Sequence, residues 1–213
     1  MESYVLRLWL PDRPGALGAV ASRIGAVKGD VVGIEILEIG AGQAVDELVV
    51  QLPDATLVDL LVAEVRQVDG VHVEEVRPAG AVGHDLRRET LETAAQLVEA
   101  SDRDALLRVL RDQAPRSLSA SWVAVVDLDA GAVVAAGEGA PLQDWLVAFV
   151  HGARSAASIG GADADSSDVI WTPVGDVGLA VVVGRERIAW RERERRQLQA
   201  TARIVALRWL ELG

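Results

Sequence analysis

Two alternating periodicities in residues 1–78 constrain the fold more than any other feature of this sequence. Two runs carry apolar residues three and four positions apart, which predicts helices over 15–28 and 56–68. Four further runs are rich in β-branched residues or alternate apolar and polar side chains, which predicts strands over 4–10, 31–39, 44–52 and 71–76. The resulting order, β-α-β-β-α-β, is the split βαβ arrangement, in which four strands form one sheet and both helices cover one face.

The turn between the first strand and the first helix, PDRPG, is the main candidate for a binding site. Pro14 suits the first helical position, and Gly15 lacks a Cβ, so another group can approach the backbone closely. The N–H groups of Gly15, Ala16 and Leu17 then point out of a helix start. Together with the helix dipole, they favour a carboxylate.

The carboxylate of Asp12 adds an acceptor beside these donors. Donors for one end of a ligand and an acceptor for the other suit a zwitterion such as an amino acid. A plainer interpretation is structural: Asp12 caps the helix, and Gly15 only lets the helix pack tightly on the strand. From the residues alone, the structural interpretation is favoured, because caps of this kind are common.

Residues 3–78 resemble an ACT domain in their element order, in the PDRPGAL turn and in GDVVGIEI at the second strand. The resemblance implies a ferredoxin-like regulatory domain that binds an amino acid beside this loop, often at an interface between paired domains. The ligand-binding positions that it implies are Asp12, Arg13, Pro14, Gly15, Ala16, Leu17 and Val31.

Val31 departs from the pattern of amino-acid-binding ACT domains, which often carry Asn at the matching position. A valine side chain neither donates nor accepts a hydrogen bond. Either the loop alone holds the ligand, or this domain is an assembly module without a ligand.

Residues 85–213 follow a short linker of small residues over 79–84. Helical periodicity and capping residues predict helices over 85–99, from 101 to about 110, over 141–154 and over 187–212. Short apolar runs separated by turn residues predict strands over 119–128, 132–136, 169–174 and 177–183. The chain is therefore predicted to be α+β throughout.

Residues 85–212 resemble a small GAF domain in this order of elements, which implies an antiparallel sheet flanked by helices with a sensory or dimerising role. Trp122, Trp145 and Trp171 are predicted to fill its core. His151 is one residue that could ligate haem, but a structural role is favoured. Within 158–168, the side chains of Asp163, Asp165, Ser167 and Asp168 cluster. Counted from Asp163, Asp168 and Val174 stand where a Ca²⁺ loop needs a glycine at its sixth position and an acid at its twelfth, so we expect a solvated loop there.

The last helix carries a heptad seam, formed by Leu198, Ala202, Val205, Trp209 and Leu212. Such a seam must be buried. We expect it to pack on helix 85–99 and also to pair with a second subunit. The prediction is a homodimer that forms through the ACT-like sheet and the C-terminal helix.

Composition and missing motifs exclude several function classes. The chain of 213 residues has no cysteine and a net charge of −11, which fits a reducing cytoplasm and argues against nucleic acid as a partner. We find no signal peptide, membrane span, phosphate-binding loop or metalloprotease motif. The adjacent acids Asp46-Glu47 and Glu74-Glu75 lie in predicted strands and so face opposite ways, which excludes paired-carboxylate catalysis.

The sequence therefore predicts a non-catalytic cytoplasmic regulatory protein without a cofactor or a metal. The ACT-like domain, residues 1–78, senses a small metabolite, most simply an amino acid. The GAF-like domain, residues 85–213, dimerises and relays the signal to a protein partner. The alternative is a scaffold or regulatory subunit that acts through protein contacts and binds no metabolite.

Overall fold

The computed structural model describes residues 1–79, 86–158, 168–186 and 188–213. The chain divides into two compact units, Met1–His84 and Asp85–Gly213. Each unit has its own four-stranded antiparallel sheet and its own apolar core, so the predicted α+β class is confirmed. The predicted linker lies outside the described residues except for Ala79, whose N–H donates to the carbonyl of Ser3.

The N-terminal unit has the predicted order of elements. These are β1 (Glu2–Pro11), α1 (Ala16–Ala26), β2 (Asp30–Gly40), β3 (Gln43–Leu52), α2 (Val58–Val65) and β4 (His72–Pro78). The strands lie in the order β2-β3-β1-β4, and every neighbouring pair is antiparallel. This is the strand order of the split βαβ, or ferredoxin-like, arrangement.

The core of this unit lies on one face of the sheet. Even-numbered residues of β1, such as Leu6 and Leu8, are buried together with Ile24 of α1 and Leu61 of α2. Both helices therefore cover the same face. The opposite face carries charged side chains, where Arg7 Nη2 lies 2.8 Å from Glu47 Oε1.

The end of α1 shows why a glycine follows it. The left-handed residue is Lys28, with φ of 61°, and the N–H of Gly29 donates to the carbonyl of Ile24 at 3.0 Å. A Cβ on Gly29 would lie 2.9 Å from Ile24 Cγ2. The glycine is needed here for close packing, and the unusual backbone angle falls on its neighbour.

The C-terminal unit contains four helices and four strands within the described ranges. They are α3 (Leu86–Glu99), α4 (Arg103–Ser117), β5 (Trp122–Asp127), β6 (Ala132–Ala136), α5 (Gln143–Ser158), β7 (Val169–Pro173), β8 (Leu179–Gly184) and α6 (Glu192–Glu211). The strands lie in the order β6-β5-β8-β7.

This unit has three layers, because its sheet is apolar on both faces. Val123, Val125 and Val181 face a core that includes buried residues of α3, α4 and α6. Ala124 and Val182 face the other way, toward α5. An antiparallel sheet flanked by helices agrees with the predicted architecture, while the resemblance to a GAF domain stays a prediction.

One of the three predicted core tryptophans lies on the surface. Trp122 and Trp171 are partly buried against the core beneath α5, but Trp145 is 45% exposed on the outer side of that helix. Its ring stacks on Phe149 at 5.2 Å between centroids. The prediction for Trp145 is wrong because position 145 follows the outward phase of α5, whereas Leu146 points inward with no exposed surface.

The last helix begins at Glu192, five residues later than predicted. Trp190 is buried, and its indole N–H donates to the carbonyl of Asp168 at 3.1 Å. The guanidinium of Arg185 binds the carbonyls of Ile188 and Ala189 and both carboxylate oxygens of Glu194. These bonds hold residues 188–191 outside the helix, and the N–H of Arg191 then bonds Glu194 as an N-terminal cap.

The heptad seam of α6 is occupied inside the chain. Leu198, Ala202 and Val205 are buried in the core shared with α3, α4 and the sheet, and Trp209 and Leu212 pack against it. The prediction of packing within the chain is confirmed. Trp209 and Leu212 are only partly buried. Pairing of this helix with a second subunit therefore stays a prediction.

We predict that Arg185→Ala destabilises the C-terminal unit by about 3–5 kcal/mol, because it leaves the Glu194 carboxylate buried without its cation. Arg196→Ala is the control. It removes an exposed pair with Glu192 one helical turn away and changes the stability by less than about 0.5 kcal/mol. Urea denaturation followed by tryptophan fluorescence measures this unit, which holds five of the six tryptophans. Equal effects of the two substitutions would contradict the prediction.

Candidate functional site

Gly15 sets the geometry at the start of α1. It is the N-cap residue and adopts a left-handed conformation, with φ of 89°. A Cβ at this position would meet nothing within 4 Å. The glycine is therefore required by the backbone angle and not by tight packing on the strand, and Pro14 precedes the cap instead of occupying the first helical position.

The backbone donors of this turn are partly satisfied. The N–H of Ala16 donates to the carbonyl of Arg13 at 3.3 Å, so its predicted availability to a ligand is wrong. Within residues 1–79, the structure gives no acceptor for the N–H groups of Gly15, Leu17 and Gly18. Three donors therefore remain at the positive end of the α1 dipole, beside open space at Gly15.

Asp12 is held by its backbone and not by its side chain. Its N–H donates to the carbonyl of Gly42 at 3.0 Å, which ties the loop to the turn before β3. The side chain is exposed and makes no capping bond to α1. The structural interpretation in which Asp12 caps the helix therefore does not apply, and its carboxylate is available to a ligand.

The remaining predicted positions differ in burial. Arg13 and Pro14 are exposed, Ala16 is buried, and Leu17 is half-buried against the core. The structure brings the loop positions together at the start of α1.

Val31 is not part of this group within one chain. Val31 and Tyr4 both pair with Val50, whereas Pro11 pairs with Gln43. Seven residues of strand separate the levels of Tyr4 and Pro11, which corresponds to about 23 Å. Val31 therefore lies at the opposite end of the sheet from the loop.

Asp46 is the residue that sequence analysis missed. It lies in β3 between Leu8 of β1 and Ile36 of β2, at the same end of the sheet as the loop. It is 3% exposed, and its Oδ1 has no hydrogen-bond partner. The signal was present in the sequence: Ala44, Leu48, Val50 and Leu52 form the inward phase of β3, and Asp46 falls in the same phase.

Asp46 and Glu47 face opposite sides of the sheet, as predicted for adjacent strand residues. Glu47 accepts hydrogen bonds from Arg7 at 2.8 Å and from Arg77 at 3.3 Å. Asp46 lies on the helix side, where burial and then the negative charge of Asp12 raise its pKa above the ordinary value. The carboxylates of Asp46 and Asp12 thus lie at the same end of the sheet, which is also the end that carries the exposed amides of α1.

Other predicted candidates are not assembled into a site. His151 lies exposed on α5, and its carbonyl accepts a hydrogen bond from the Ser155 hydroxyl. The acidic loop lies outside the described residues except for its first and last positions, Ser158 and Asp168. In the described part of the chain, no three acidic or histidine side chains cluster as metal ligands. No helix there is long and apolar enough to cross a membrane.

Comparison with known proteins gives likenesses only to solved structures. No family model and no curated protein matches the chain. The ACT domain of the GTP pyrophosphokinase of Chlorobium tepidum is 17% identical over 36% of this chain and 96% of its own, with a TM-score of 0.30. An uncharacterised protein of Thermotoga maritima is 22% identical over 36% of this chain and 95% of its own, with a TM-score of 0.30.

A third likeness spans the whole chain. An unknown protein from Galdieria sulphuraria is 13% identical over 100% of this chain and 94% of its own, with a TM-score of 0.35. With identities below 25% and TM-scores below 0.5, these three likenesses assign no ligand and no activity to this chain.

We predict that Gly15→Ala lowers the free energy of unfolding by about 1 kcal/mol, because an L-residue is strained at this φ although its Cβ has room. Gly25→Ala is the matched control in the same helix. Its Cβ also has room, and its helical backbone gains up to about 1 kcal/mol. Urea denaturation followed by circular dichroism should show opposite signs, and shifts in the same direction would refute the assignment.

Proposed function

We propose that the N-terminal unit is a regulatory domain that binds an amino acid or a similar zwitterion, and that the chain is not an enzyme. One observation carries the proposal: the N–H groups of Gly15, Leu17 and Gly18 lack acceptors in residues 1–79 and lie beside the exposed carboxylate of Asp12. The resemblance of the PDRPGAL turn to ACT domains supports it.

The two ends of the proposed ligand bind different groups. Its carboxylate accepts hydrogen bonds from the amides at the start of α1, where the helix dipole adds about 0.3–1 kcal/mol at an exposed site. Its ammonium group pairs with Asp12. Arg13 is exposed in the same loop and adds a positive charge on the side of the ligand carboxylate.

The edge strand β2 supports a homodimer through the sheet. It presents four apolar side chains to solvent, Val32, Ile34, Ile36 and Ile39, each at least 46% exposed. An edge strand with exposed apolar residues is a template for pairing with another strand. Antiparallel pairing of two β2 strands about Glu35 would bring Val31 of a second copy opposite Ile39, at the loop end of the sheet.

The C-terminal unit supplies the proposed relay. Its three-layer architecture is compatible with a sensory or dimerising module of the GAF type that passes the ligand state to a protein partner. A scaffold function without a metabolite is the second candidate, and the apolar edge of β2 favours it, since that surface serves assembly whether or not a ligand binds.

We predict that at least one of the twenty amino acids raises the melting temperature of the full chain. A ligand at about one hundred times its Kd stabilises the native state by about 2.7 kcal/mol. Asp12→Asn should abolish this shift, because it removes the charge that binds the ammonium group.

Asp59→Asn is the matched control, since it removes an exposed carboxylate from the first turn of α2 and should leave the shift intact. A shift that survives Asp12→Asn would exclude the loop as the site. If no amino acid produces a shift, the ligand proposal is wrong and the scaffold function is preferred.

We predict that the full chain is a dimer in analytical ultracentrifugation and that Ile34→Glu converts it to a monomer by placing a charge in the β2 edge. Leu60→Glu is the control, because Leu60 is equally exposed on α2, away from this strand. A monomeric native chain, or a dimer that persists in Ile34→Glu, would contradict pairing through β2.

A further inference from the structure

Asp46 is a buried carboxylate for which residues 1–79 provide no partner. Its Oδ1 is inaccessible to solvent and makes no hydrogen bond, whereas Oδ2, to which the structure gives no hydrogen bond within residues 1–79, is reached by solvent. Protonation at Oδ2 does not remove the problem, because Oδ1 remains a buried acceptor without a donor. A buried polar group without a partner is costly in either form.

The charges around Asp46 do not supply the missing partner. Its cross-strand neighbours Leu8 and Ile36 are apolar, and the residues on either side in the same phase of β3 are Ala44 and Leu48. Two charged residues, Asp12 and Arg13, lie in the exposed loop. Arg23 lies at the far end of α1 and pairs with Glu64. The other charged residues nearby lie on the opposite face of the sheet: Arg7, Glu35 and Glu47. Burial raises the pKa of Asp46, and the negative charge of Asp12 raises it further.

We propose that Asp46 is the buried counter-charge for the ammonium group of the ligand and makes the site specific for compounds with a free amino group. This inference rests on the proposed function and deepens it. An ammonium group has three N–H donors and so can bond to both Asp46 and Asp12. A metal ion fits less well, because no third acidic or histidine ligand lies nearby in the described part of the chain.

The sign of the pH dependence follows from this role. The ammonium group pairs with the ionised carboxylate, and the pKa of Asp46 is higher than that of an ordinary aspartate. The affinity for the ligand is therefore full near neutral pH. It falls as the pH drops through this raised pKa, which lies above the ordinary aspartate value of about 3.9.

The test is calorimetric titration of the full chain with each of the twenty amino acids, with their N-acetyl derivatives and with their amides. For an amino acid that binds, N-acetylation should weaken binding by more than about tenfold, whereas the amide keeps its amino group and retains the ammonium contact. Asp46→Asn has nearly the same shape as the native residue. It should weaken binding at least about tenfold near neutral pH and remove the loss of affinity on acidification.

The controls separate this inference from the proposed function. Asp59→Asn should keep both the affinity and its pH dependence. If Asp46→Asn binds like the native chain while Asp12→Asn does not, the role of Asp46 is wrong and the proposed function stands. If N-acetyl amino acids bind the native chain as well as free ones, the counter-charge is refuted without any variant. If no free amino acid binds, both proposals fail together.

Discussion

The position of β3 between β2 and β1 decides the environment of every side chain on that strand. Successive residues alternate between the helix-covered face and the opposite face, and a charged residue cannot turn away from its assigned side. Glu47 falls on the face that holds Arg7 and Arg77 and bonds to both. Asp46 falls on the helix side, where the described residues 1–79 offer it no cation. The proposed binding site of the N-terminal unit depends on this asymmetry.

The C-terminal unit shows how the same chain satisfies a buried carboxylate when the role is structural. Glu194 accepts bonds from two guanidinium nitrogens of Arg185 and from the N–H of Arg191, and the guanidinium lies 3.9 Å from the centre of the Trp190 ring. A buried ion pair with both carboxylate oxygens bonded holds a helix start in place. Asp46 has none of these partners, and this contrast favours a ligand as its missing partner over a structural role.

The sequence predicted what depends on local pattern and missed what depends on distant contacts. The order of elements in the first unit followed from periodicity, and the glycine after Pro14 correctly marked the start of α1. Lys28 could not be identified as the left-handed residue, because the constraint comes from packing of Gly29 against Ile24. The late start of α6 depends on Arg185 and Trp190, whose partners include the distant residue Asp168. The inward position of Asp46 was detectable from strand phase. Only the structure shows that its Oδ1 is buried without a hydrogen-bond partner.

A site at the loop end of the sheet would also couple ligand binding to assembly. Val31 lies about 23 Å from the loop within its own chain, so its contact with a ligand requires a second copy paired through β2. Linkage then requires the effect to be reciprocal: if pairing strengthens ligand binding by some factor, the ligand strengthens pairing by the same factor. The apolar edge of β2 and the buried carboxylate of β3 would act together, because Ile36 is the cross-strand neighbour of Asp46 and is also part of that exposed edge. Such coupling would convert an amino-acid concentration into a change of assembly state.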